Sequence, residues 1–150
     1  MIRQMSGWMW RVRQITIAEA GMVIEAQLFL LACQIAKWGR PTGSLLRRAS
    51  DAPVESGRMD LRTTMLIGWA VSRTAEYGLF RPRCLVRSLA IQRMLRRRGL
   101  CPGELRIGVR MNHGRLLAHA WIEMGGRIVG DLPQHVRTFA PAADLRLVEL

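Results

Sequence analysis

At 150 residues, almost half of them hydrophobic (49%), the chain is long enough to bury a core and is not a disordered polymer. It reads as one domain over residues 1–150. The net charge of +12 rests on 22 arginines and a single lysine, Lys37. Such a charge points to an acidic partner or to arginines that are simply solvated. No basic run is interleaved with stacking aromatics, and there is no helix-turn-helix or zinc pattern, so nucleic acid is not the expected partner. Cys33, Cys84 and Cys101 are an odd number without paired spacing. They form neither a disulfide framework nor a metal site, and they suit a reducing cytoplasm.

In chain order, residues 1–14 carry Arg3, Arg11 and Arg13 beside Trp8 and Trp10, without the apolar run and small-residue cleavage site of a signal peptide. Ile15 to Trp38 is the most apolar stretch. Glu19, Glu25, Gln27 and Gln34 interrupt it, and its uninterrupted runs fall short of the roughly 20 residues of a membrane span. A long amphipathic or buried helix ending near Gly39 and Pro41 is expected, with Cys33 as a buried small hydrophobe. A membrane-surface role is the lesser reading. Pro41 to Gly57 reads as a loop with a short helix at Leu45–Ala49. Asp60 is placed to cap a helix over Leu61–Tyr77, which Gly78 ends.

The next helix opens at Cys84. Apolar residues fall at Leu85, Val86, Leu89, Ala90 and Leu95, a helical spacing. Pro82 discourages helix upstream and Gly99 supplies a stop. Backbone N–H groups at a helix start, with Arg81 and Arg83 nearby, favour the thiolate that covalent acyl transfer needs. Cys101, in a turn, reads as incidental.

Two strands follow. Leu105, Ile107, Val109 and Met111 alternate with polar or small residues, and Asn112-His113-Gly114 is turn chemistry. In the second strand Leu117, His119, Trp121 and Glu123 share one face. Gly125-Gly126 then turns the chain into a third strand that ends in Asp131. A plain two-residue turn there would set Asp131 opposite Ala120, on the wrong face for His119. A three-residue or bulged loop at 124–127 would place it opposite Trp121 or His119, and that is the expectation. Glu123 is the backup carboxylate. Tyr77 and Trp121 are weak candidates for a second oxyanion donor. His113 and His135 are expected to be exposed, and the chain after Leu132-Pro133 to be an irregular tail with a short element at Asp144–Leu150.

Cys84, His119 and Asp131 thus propose themselves as nucleophile, base and orienting carboxylate. The run C-L-x-x-S-L-A-x-x-x-x-L-R-R-R-G, then E-L-x-I-G-V, A-H-A-W-I-E and G-D, resembles the transglutaminase-like cysteine peptidases of lasso-peptide biosynthesis, the peptidase part of the B protein. The close match covers about a third of the chain. The resemblance implies an α+β, papain-like fold. Its helical part would run over about 15–98 and its small antiparallel sheet over about 104–132. It implies Cys84, His119 and Asp131 as the triad, no metal or organic cofactor, and a ribosomally made precursor cut at its leader–core junction. It also implies a separate leader-binding protein and the ATP-dependent cyclase as partners, because residues 1–80 lack the strand-rich start of a leader-binding domain. Arg87 and Arg110 are candidates to line a groove for an acidic leader. A transglutaminase-like acyltransferase on the same triad and a non-enzymatic basic nucleic-acid-binding protein are the competing readings.

Overall fold

In the computed structural model, residues 16–44 and 57–142 are described. The expected helix at Leu45–Ala49 and the element at Asp144–Leu150 lie outside them. The order is α1 (Ile17–Trp38), α2 (Leu61–Tyr77), α3 (Cys84–Arg97), β1 (Glu104–Asn112), β2 (Arg115–Met124), β3 (Arg127–Val129), α4 (Pro133–Val136) and β4 (Ala140–Pro141). Three helices followed by a small antiparallel sheet make this an α+β fold.

The helix ends have local causes. Thr16 and Glu19 form a reciprocal capping box at the start of α1, and Gly39 closes it. The Asp60 carboxylate accepts the Thr63 N–H at 3.1 Å and the Thr63 hydroxyl at 2.7 Å at the start of α2. Gly78 ends α2 by donating its N–H to Thr74. α3 begins at Cys84, and Gly99 follows it with φ +64°.

The three helices pack on one another, and α3 lies on β2. Ala26, Leu30 and Cys33 of α1, Ile67 and Val71 of α2, Val86, Met94 and Leu95 of α3, and Ile122 and Val129 of the sheet fill the main core. A bidentate Arg98–Glu25 pair, at 3.0 and 2.5 Å, ties α3 to α1 across its rim. The other face of α1 leaves Ile17, Ile24, Leu28, Ile35 and Trp38 exposed. With 22 residues and a mean hydropathy of 1.4 in its most apolar window, α1 is long and apolar enough to cross a membrane. Counting uninterrupted runs understates this, because isolated polar residues barely lower a window average.

The sheet order is β3-β2-β1-β4. β1 and β2 pair from Glu104↔Glu123 to Asn112↔Arg115. His113 and Gly114, both at positive φ (47° and 75°), make the tight turn. The segment after Leu132 is not the irregular tail expected. Pro133–Val136 forms a helical turn, and Ala140 and Pro141 pair with Val109 and Gly108 of β1. This return places Val136 and Phe139 against Trp121 in a second small core. Gly108 makes it possible, since a Cβ there would stand 2.8 Å from Phe139 and 2.9 Å from the Trp121 ring. Both faces of β2 are therefore covered over 119–122, all of them buried.

Candidate active site

Cys84 is the first residue of α3. Arg83, at φ −69° and ψ 160°, is the extended N-cap and offers no side-chain cap. The first-turn amides, including that of Cys84, precede the first helical bond, Arg87 N–H to Arg83 at 3.2 Å. Cys84 is half-buried. With Arg87, Ser88, His119, Gly130 and Asp131 it lines a narrow cleft of about 10 Å3, roughly the space one water needs.

His119 Nε2 lies 2.5 Å from Asp131 Oδ2. The two side chains are only 10% and 13% exposed, so water competes little for the bond. The Leu132 N–H donates to Asp131 Oδ1 at 2.7 Å. Burial pushes the Asp131 carboxyl upward. The hydrogen bonds from His119 and Leu132 and the positive potential of His119 and His135 outweigh it, and hold the group below the usual carboxylate range. The imidazole is fixed further by Phe139, stacked 5.0 Å away, and by Trp121 at 6.0 Å. With Nε2 engaged by Asp131, Nδ1 is the ring nitrogen left for proton transfer.

The route by which Asp131 reaches His119 is not the expected one. Met124 pairs directly with Arg127, so Gly125-Gly126 is a plain two-residue turn with φ of 55° and 72°. There is no bulge at 124–127, and the third strand does not end in the aspartate. β3 stops at Val129, and Gly130 at φ +76° turns the chain off the ladder. Strand alternation therefore no longer dictates which way Asp131 points. The bend is held from outside the sheet. Ser72 Oγ donates to the Gly130 carbonyl at 2.6 Å and the Arg87 guanidinium donates to it at 3.1 Å. Gly68 of α2 lets the bend approach, since a Cβ on Gly68 would lie 2.7 Å from the Gly130 nitrogen.

Of the remaining candidates, Trp121 and Arg87 reach the cleft and the others lie away from it. Glu123 stands opposite Glu104 near the far end of β2, 3.7 Å from Arg106. Tyr77 is exposed beneath the Arg73 guanidinium. Trp121 lines the cleft, and its indole nitrogen is buried without a hydrogen-bond partner. Arg87 reaches the cleft but spends its guanidinium on Gly130 and Ser72. Arg110 lies over the Phe139 ring and donates to Thr138, bracing the second core rather than an open groove. His113 is exposed in its turn and Cys33 is buried. Burial pushes the Cys33 thiol up against the opposing pull of Arg93. Cys101 is buried in the main core.

His135 is the correction with most consequence. It is exposed, as expected, yet it stands at the site. Its Nδ1 is 3.4 Å from Asp131 Oδ1, and its ring is 4.7 Å from that of His119. The helical turn Pro133–Val136 puts residues 131 and 135 on one side, and a four-residue spacing after a Pro-initiated turn was the available signal.

A cysteine at a helix start, beside a histidine of an antiparallel sheet that is paired with a carboxylate just past the sheet's last strand, is the arrangement of a thiol acyl-transfer site. Residues 27–144 match the model of the transglutaminase-like superfamily. The chain belongs to that superfamily, whose members are generally cysteine proteases or acyltransferases. No curated protein and no solved structure matches the chain.

Proposed function

We propose that the protein is a cysteine peptidase that removes the leader from a ribosomally made lasso-peptide precursor, with Cys84, His119 and Asp131 as its triad. The observation that carries the chemistry is the 2.5 Å contact between His119 Nε2 and Asp131 Oδ2 in the cleft that Cys84 lines. The substrate rests on the resemblance of the Cys84 helix and the His119 strand to the lasso-peptide peptidases.

In this reading His119 Nδ1 takes the Cys84 proton, and Asp131 holds the ring in the tautomer that allows it. The thiolate attacks the carbonyl at the leader–core junction. The uncapped Cys84 N–H at the start of α3 donates to the oxyanion. His119 returns the proton to the leaving amine, and water then hydrolyses the thioester. The reaction needs no metal or organic cofactor. A separate leader-binding protein presents the precursor and the ATP-dependent cyclase closes the ring, all in the cytoplasm.

The test is mass spectrometry of the precursor incubated with the protein and its leader-binding partner. Cleavage at the junction, abolished in Cys84→Ala and in His119→Ala, is expected. A product carrying an added amine in place of water would make the protein an acyltransferase on the same triad. Cleavage that survives both substitutions would remove the proposed roles.

A further inference from the structure

We propose that His119, Asp131 and His135 form a binding site for a zinc-like transition-metal ion, and that the ion switches the active site off. The three side chains each offer one ligand atom, and these atoms lie within 4.8 Å of one another. Two nitrogens and one carboxylate oxygen suit Zn2+, Co2+ or Ni2+ rather than Mg2+ or Ca2+, which want oxygen ligands. Ligand bonds of roughly 2.1 Å in a tetrahedron set neighbouring donors about 3.4 Å apart. Asp131 Oδ1 and His135 Nδ1 stand at 3.4 Å already. His119 Nε2 stands 2.5 Å from the other carboxylate oxygen, Oδ2, a hydrogen bond that the ion would replace as the carboxylate turns to present one oxygen to it. A fourth position is left for water.

The surroundings orient the set. Phe139 packs against both imidazoles, at 5.0 and 5.4 Å, and the Leu132 N–H fixes the carboxylate. The charged groups nearby are Arg87, held on the Gly130 carbonyl, and Arg110, over Phe139. Both are cationic and the set has one carboxylate, so the site favours a reversibly bound ion over a permanent structural one.

The inhibitory consequence rests on the peptidase reading; the binding does not. A metal on Nε2 leaves the neutral ring's one proton on Nδ1. That nitrogen then cannot accept the proton of Cys84 or of the water that hydrolyses the thioester. Asp131, drawn onto the ion, no longer orients the ring.

The experiment titrates chelator-treated protein with Zn2+ against a chromophoric chelator, and with Co2+ by its visible absorption. One ion per chain is expected, with the Co2+ bands of a tetrahedral nitrogen–oxygen site. His135→Ala and the bulkier His135→Gln should each weaken binding more than about tenfold, the least that loss of a supporting group costs. Cys84→Ala should bind as wild type does. Unchanged affinity in both His135 variants, with folding checked by circular dichroism, would overturn the site. So would loss of binding in Cys84→Ala, which would put the metal on the thiol. In the cleavage assay Zn2+ should stop wild type, chelator should restore it, and His135→Gln should need more than about tenfold more Zn2+ for the same inhibition. Inhibition at equal Zn2+ in wild type and His135→Gln would refute the switch. A protein that binds the ion but never cleaves would refute the peptidase reading and leave the site standing.

Discussion

Replacing Gly130 by alanine tests the account of how Asp131 is aimed. Gly130 sits at φ +76°, and a Cβ there would lie 2.5 Å from the Ile91 side chain and 3.3 Å from the Gly68 carbonyl oxygen. The left-handed backbone costs a non-glycine residue roughly 1–2 kcal/mol. Forcing a methyl into a packed site adds about 1–3 kcal/mol. The sum, about 2–5 kcal/mol, is a large part of the 5–15 kcal/mol that usually separates folded from unfolded domains. With an m value of about 2 kcal/mol/M, the urea midpoint should fall by about 1–2.5 M. The bend can also yield locally, because Ser72 and Arg87 hold only its carbonyl. Asp131 would then swing away from His119, and precursor cleavage should be lost under conditions where the protein is still folded. Gly130→Asn separates the two costs, since asparagine tolerates the left-handed region but keeps the added Cβ. A Gly130→Ala protein within about 0.5 kcal/mol of wild type in urea, and equally active, would refute the reasoning.

Other consequences follow from the same contacts. Gly68→Ala places a Cβ 2.7 Å from the Gly130 nitrogen and 2.8 Å from Val129; backbone cannot flex away as a side-chain tip can, so a loss of about 1–3 kcal/mol is expected in urea melts. Ser72→Ala removes one of two donors to the Gly130 carbonyl and should cost about 0.5–1.5 kcal/mol, with Arg87 still in place. The lowered pKa of Asp131 contributes stability that is complete above the ordinary carboxylate pKa of about 3.9 and is lost as pH falls through the lowered folded value. Urea melts at neutral pH and near pH 3 should therefore differ less in Asp131→Asn than in wild type; an equal difference in both would show that Asp131 is not the group involved.

Much of this architecture could be read from the chain because its signals are local. Asp60 before an apolar-periodic run, Gly78 after it, and Pro82 before Cys84 each act within a turn of the residue that shows them. Cys84, His119 and Asp131 were legible as residue types in order, and they line one cleft. What failed was the geometry connecting the last two. A β3 that continues to residue 131 can bring Asp131 to the face of His119 only through a bulge at 124–127. The decisive feature is one glycine further on. Gly130 leaves the ladder, and it does so because α2 holds its carbonyl and presses Gly68 against it. Those are contacts between residues about sixty apart, which periodicity does not contain. The second core was missed for a similar reason. Val136 and Phe139 look like stray apolar residues until β4 pairs with β1 and sets them on Trp121. His135 comes into the site with them.

The central claim is that Cys84 is the nucleophile that His119 activates. The most direct measurement is the intact mass of the protein, acid-quenched during incubation with precursor and leader-binding partner, followed by peptide mapping. The account predicts a thioester on Cys84 carrying the leader less one water. It should be absent in Cys84→Ala and form about 10²–10⁴-fold more slowly in His119→Ala, the usual loss when a general base is removed. A leader attached to another residue, or cleavage that proceeds unchanged in Cys84→Ala, would contradict it.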